Sequence, residues 1–268
     1  MQSKYFRILG YSLLAAVFYL TADLLPELLQ LGLYFISERI GLPYDYFDQR
    51  SNMAYVLTGL VILLLYGGIY LRWLSPGRTE PLPWSRAKKG GFIVLSAFGI
   101  GGLSLLWLTL AERLQSGIPV LMQAMTEFNQ SMEALDEGSY LWELAAVCIL
   151  GPILEELMFR GLIYNSVERA FRSPLPAILL SGLLFGIWHG NLVQSVYTAV
   201  MGIIVAFVYH RTRSLWFPIG IHMVNNLLST LPPVLQEGQI PGLLDKLSVL
   251  LILPCALLYY RSFRRSTD

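Results

Sequence analysis

Long apolar blocks dominate this chain, and polar residues fall mainly between them. A helix needs about 20 apolar residues to cross roughly 30 Å of hydrocarbon. Eight blocks reach or approach that length, at 7–36, 52–72, 91–111, 139–170, 174–190, 192–210, 214–230 and 244–261. They predict an all-α polytopic membrane protein: a bundle of about eight transmembrane helices in a single integral membrane domain, 1–268. The first block is irregular. Ile8–Ala22 is apolar, but Asp23, Pro26 and Glu27 interrupt it before Leu28–Ile36. One kinked helix, or a span followed by an interfacial helix, would both fit. Lys4 and Arg7 ahead of it suit a cleaved signal, but Asp23 and the later spans favour a retained first helix. The blocks at 174–190 and 214–230 are short, so they would sit deep in a bundle or run past these bounds. The longest connection is 112–138.

Composition agrees with the pattern. The 268 residues are 55% hydrophobic and 14% charged, against about 25% charged in soluble domains. The formal net charge of +1 hides an asymmetry along the chain. With the N-terminus inside, the inner segments carry fifteen of the 19 basic residues, and only Arg39, Arg50, Arg113 and Lys246 fall outside. The positive-inside rule then places both termini in the cytoplasm. Glu112, Glu127, Glu133, Asp136 and Glu137 make 112–138 an acidic outer loop. The expected partners are the lipid bilayer and a substrate, with no nucleic acid. The oligomeric state is not legible. Compact loops without organelle signals suggest a multi-pass protein of a bacterial plasma membrane. Cys148 and Cys255 lie inside predicted spans and read as small buried hydrophobes. Trp73, Trp84, Trp107, Trp142 and Trp216 read as interfacial belt residues. Gly99, Gly101 and Gly102 read as permitting close helix packing.

Against this background several polar residues stand out. Glu155, Glu156 and Arg160 interrupt the fourth block, His189 ends the fifth, and His222 and Asn226 lie in the seventh. A charge inside hydrocarbon costs roughly 2.5–3.5 kcal/mol even on lenient insertion scales, so such groups face a bundle interior and mark a site. Glu156 and Arg160 are four apart, share a helix face and can pair. Glu155 is rotated about 100° from Glu156, and no opposite charge stands three or four positions from it. The two carboxylates thus separate: Glu156 as a partner of Arg160 that could simply fix packing, Glu155 toward a cavity as a general base. His222 and Asn226, also four apart, can both donate toward one point, as an oxyanion requires, though interhelical hydrogen bonding would use them equally well. His189 alone could be an interfacial residue. His210, beside Arg211 and Arg213, reads as solvated, and Glu143 as reaching water. Ser181 and Ser195 lack a nucleophile context. Glu155, His189 and His222 could bind zinc by spacing, although no HExxH is present.

The constellation suits water activation by a carboxylate, with imidazole and amide donors at a tetrahedral oxyanion. At these residues the chain resembles the CAAX prenyl endopeptidase-like family of intramembrane proteases, also called CPBP or Abi proteins. Its three motifs, EExxxR, FxxxH and HxxxN, read here as Glu155-Glu156 with Arg160, Phe185 with His189, and His222 with Asn226. The resemblance covers about 139–230, the expected catalytic core. It implies an intramembrane endopeptidase acting on a membrane-associated or lipidated peptide. Glu155 would activate water, His189 would assist there, and His222 with Asn226 would form the oxyanion hole, supported by Glu156 and Arg160. Asn225 competes with Asn226, but HxxxN spacing favours Asn226. Zinc has been considered for the family. The carboxamide of Asn226 suits an oxyanion hole better than a metal shell, so no cofactor is expected. The alternatives are a non-catalytic membrane regulator or scaffold that uses the same polar cavity, and a proton-coupled transporter that uses it as a relay.

Overall fold

Hydrocarbon offers no partner for backbone N–H and C=O groups, so a chain of this composition satisfies them within helices. The computed structural model bears this out: no strand occurs among the described residues, which are 2–43, 46–47, 50–76, 83–135 and 139–263. Arg78, Asp136, Glu137, Arg264 and Arg265, counted in the charge asymmetry, lie outside them.

The first block is one helix, α1 (Gln2–Arg39), running through Pro26. Its 38 residues make a rod of about 57 Å. Phe6, Leu9, Leu13, Leu20, Leu24, Leu31 and Phe35 are all more than half exposed along it, a surface suited to lipid. Next comes α2 (Ser51–Ile69), which continues as a wider π turn to Leu74. Helix α3 (Arg86–Leu114) follows. The expected acidic loop is instead largely helical, as α4 (Pro119–Leu135). Its buried Leu121, Ala124 and Met125 recur at helical spacing against Ala111 and Val193, while Gln123, Glu127 and Ser131 stay exposed. Glu127 and Glu133 are exposed on that helix, and a charge count cannot distinguish a helix from a loop.

Residues 140–171 form α5, in which α-helical turns alternate with π-helical ones at Leu144–Leu150 and Leu157–Tyr164. Then follow α6 (Pro174–Trp188), α7 (Leu192–Thr212), α8 (Trp216–Ser229), α9 (Ile240–Leu250) and α10 (Ile252–Phe263). Among the described residues four helices are long and apolar enough to cross a membrane, five if the pair α9–α10, bent by 43°, counts as one span. The expected count of eight is therefore not met by length and composition. Helices α6 and α8 have 15 and 14 residues, only about 21–22 Å, and α5 is broken by its π turns and charges.

The chain groups into two compact units. The first, 1–79 and 135–181, holds α1, α2, α5 and the start of α6. There α1 packs on α2 and along the second half of α5, and Arg7 donates to the Ala170 carbonyl. Glu143, expected to reach water, is buried. The second unit, 80–134 and 182–268, is organised on α3, which packs against α7, α8, α9 and α10. Phe92, Ile100, Met201, Val205, Phe217 and Ile221 form its core. Trp84 stacks into this cluster against Phe92 and Phe217, and Trp107 donates to the Val193 carbonyl. These two are half-buried against core residues, whereas Trp73, Trp142 and Trp216 are exposed as belt residues would be.

Small residues set how closely the helices approach. A Cβ on Gly102 would overlap the Ser248 carbonyl, and one on Gly99 would meet Cys255. On α6, side chains at Gly182 and Gly186 would run into Ile203 and the Ser195 carbonyl of α7. Both cysteines are buried, as expected. Gly102→Val is expected to lower stability by about 1–3 kcal/mol through overpacking. Gly90, on the same helix, has nothing within 4 Å of its Cβ position, so Gly90→Ala is expected to change stability by less than about 1 kcal/mol. Unfolding titrations in mixed micelles check both. Equal losses would contradict the packing account.

Candidate active site

Three motif residues belong to the first unit. Between the two π segments of α5 lies a short α-helical stretch, Gly151–Glu156. It carries both glutamates. Arg160 donates from Nη1 to Glu156 Oε1 at 3.0 Å, and both side chains are fully buried. This is the pairing that the spacing predicts. Glu155, one position earlier, is only half-buried. The two adjacent carboxylates therefore occupy different environments: one enclosed with a guanidinium, one on the accessible side of the helix.

Side chains off the motif hold the wider turns in place. Ser181 donates to the Phe159 carbonyl at 2.9 Å. Asn165 donates to the carbonyls of Arg160 and Gly161 at 3.1 and 2.8 Å. Changing from α to π winding alters which carbonyls the backbone can satisfy, and in low dielectric a side-chain donor at such a carbonyl is worth having. Ser181 thus has a structural task. Sequence reasoning missed Asn165; the only signal was an amide just inside the last turns of an apolar run.

The other motif residues belong to the second unit. His189 Nδ1 lies 2.8 Å from the Phe185 carbonyl oxygen. A carbonyl only accepts, so Nδ1 carries the proton, and in the neutral ring Nε2 is an acceptor. The buried Phe185 ring meets His189 edge-on at 4.7 Å and His222 at 5.8 Å. The motif phenylalanine thus acts twice, through its carbonyl on one imidazole and its ring on both. Gly190, at φ +72°, turns the chain after His189. Asn191 then caps α7, accepting from the N–H groups of Val193 and Gln194, and donates to the Ala124 carbonyl of α4.

His222 is buried and Asn226 half-buried, four apart on the uninterrupted helix α8, so they share a face. Asn225 donates to the Ala97 carbonyl of α3 at 3.3 Å. This contact ties α8 to α3. His210 is half-buried and meets Arg213 at 3.2 Å through Nδ1, so it is less solvated than expected. Within neither unit do three His, Cys, Asp or Glu among the described residues group as a metal site requires.

Breaking a buried ion pair leaves one uncompensated charge, at about 3–5 kcal/mol. Glu156→Gln or Arg160→Met alone is therefore expected to destabilise the protein by about that much, and the double variant by clearly less than the sum. A double-mutant cycle by chemical unfolding checks this. Additive losses would mean that the pair is not coupled.

The comparisons fit this geometry. Residues 137–228 match the family model described as type II CAAX prenyl endopeptidase Rce1-like, a stretch that contains all three motifs. A Bacillus subtilis protein named "Putative membrane peptidase YdiL" is 37% identical over 178 residues, 66% of this chain and 68% of that one. The Staphylococcus aureus "Membrane-embedded CAAX protease MroQ" is 33% identical over 85 residues, 30% of this chain and 34% of its own length. No solved structure matches the chain significantly. The helices suited to a membrane, the three motifs and the extent of the match to YdiL lead to one conclusion: the chain belongs to the Rce1-like family of type II CAAX prenyl endopeptidases and is a multi-pass membrane peptidase.

Proposed function

We propose that this protein is an intramembrane endopeptidase that hydrolyses a peptide bond in a membrane-associated or lipidated peptide, with Glu155 as general base. The observation that carries this reading is the division of the glutamates. Glu156 is fully enclosed with Arg160, and Glu155 is half-buried on the accessible side of the same helix. Glu155 takes a proton from water as the oxygen attacks the scissile carbonyl. His189, with Nδ1 committed to Phe185, presents Nε2 as an acceptor, which suits a hydrogen bond from that water rather than donation to an oxyanion. His222 and Asn226 donate to the oxyanion. Glu155 then passes its proton to the departing amine, so the carboxylate is restored and water is consumed.

On this reading the reaction needs no metal. An amide N–H is a good oxyanion donor, whereas a carboxamide is a weak ligand beside imidazole and carboxylate. The family's name makes prenylated C-terminal tails one candidate substrate class, and other membrane peptides are a second. The basic-inside asymmetry supports cytoplasmic termini.

Purified protein in vesicles, supplied with a farnesylated peptide ending in a CAAX sequence and with peptides extracted from native membranes, tests the reading. Glu155→Gln is expected to remain folded and to lose about 10²–10⁴-fold in cleavage. Full activity in that variant would refute the assignment. Asn226→Ala is expected to lower kcat by about 10²–10³-fold, whereas Asn225→Ala is expected to lower stability and leave kcat within about twofold. Activity is expected to persist in excess 1,10-phenanthroline; loss that zinc restores would assign a metal instead.

A further inference from the structure

One polar side chain beside Glu155 belongs to none of the motifs. Tyr55 lies near the start of α2, four residues after Ser51, in an otherwise apolar sequence. A tyrosine there would ordinarily be read as an interfacial anchor, hydroxyl toward water. The packing of α2 on α5 directs it elsewhere. Gly59, one turn further along α2, lets the two helices approach: a Cβ there would stand 2.7 Å from Leu150 and 3.0 Å from Leu154. The same approach brings Tyr55 to the Gly151–Glu156 stretch. Gly151 stands one turn before Glu155, and the point where its side chain would begin lies 3.6 Å from Glu155 Oε1 and 3.7 Å from the Tyr55 hydroxyl oxygen. Both oxygens therefore border one small space, which Gly151 keeps open by having no side chain.

We propose that Tyr55 is a positioning residue for Glu155: its hydroxyl donates toward the carboxylate across Gly151 and fixes how the base is aimed. The chemistry is suited to the task. A phenol is a neutral donor that adds no second charge to an apolar interior, and its rigid ring holds the hydroxyl with only two torsions. A hydrogen bond to an ionised carboxylate is stronger than one between neutral groups, so one hydroxyl can select a single carboxylate orientation. Glu156, by contrast, is oriented by Arg160. The inference rests on the reading of Glu155 as the base.

The test combines spectroscopy with kinetics on full-length protein in vesicles. The infrared difference between wild type and Glu155→Gln isolates the Glu155 carboxyl band. Tyr55→Phe is expected to shift that band, and 3-fluorotyrosine at position 55, a stronger donor of nearly the same shape, to shift it the opposite way. With the farnesylated peptide or a native peptide as substrate, Tyr55→Phe is expected to lower kcat about tenfold and leave KM within about twofold. A band unmoved by both replacements, with kcat unchanged, would overturn the proposal. If Tyr55→Phe fails to fold, the fluorotyrosine protein keeps ring and hydroxyl and decides the matter by its band alone. The two readings fail separately. Full cleavage by Glu155→Gln defeats the assignment of the base. An inactive Glu155→Gln beside a Tyr55→Phe protein with the wild-type band and kcat defeats only the role of Tyr55.

Discussion

The rest of the arrangement depends on one buried ion pair. A carboxylate and a guanidinium, both fully enclosed, face each other one helical turn apart at Glu156 and Arg160. Neither charge alone would be tolerated there, because desolvation of an ion in an apolar interior costs several kcal/mol. Together they offset one another's charge through the contact of Arg160 Nη1 with Glu156 Oε1. On the same helix the adjacent Glu155 is rotated about 100° away and is half-buried. Asn165 and Ser181 hold the carbonyls around the pair, so the wider winding on either side of the glutamates is kept rather than relaxed.

In the second unit, backbone carbonyls play the part that charge plays in the first. The Phe185 carbonyl decides which nitrogen of His189 bears the proton. The Ala97 carbonyl engages Asn225. Small residues make these contacts possible. Helices α6 and α7 meet where Gly182 and Gly186 leave no side chain between them, and α3 accepts α9 and α10 at Gly99 and Gly102.

Much of this was legible in the sequence, and the boundary has physical causes. Charges in apolar blocks are costly, so Glu155, Glu156 and Arg160 declared themselves. Spacing of four residues announced the Glu156–Arg160 pair and the shared face of His222 and Asn226. Close packing at Gly99 and Gly102 followed from small residues in an apolar helix. What was hidden depends on winding or on distant contacts. The π turns of α5 leave no compositional mark. They change the winding of a block that hydropathy reads as one span, while its charges and the shortness of α6 and α8 leave fewer helices suited to a full crossing. Helix α4 looked like a loop because its apolar residues alternate with polar ones instead of forming a continuous apolar block. Trp84 and Trp107 looked like belt residues because an aromatic near a helix end gives no hint of the core it enters. Tyr55 was invisible for the same reason: its significance lies in Gly59 and Gly151, one on each of two helices far apart in sequence.

The central claim is that Glu155 is the working carboxylate and that the protein's product is a cut membrane peptide. Quantitative peptide profiling of membranes that differ only in carrying wild-type protein or Glu155→Gln tests this whatever the substrate is. The account predicts a defined set of cleaved C-terminal or transmembrane peptides in the wild-type membranes, replaced by their uncut precursors in the variant at equal protein abundance. Identical peptide profiles in the two membranes would contradict it.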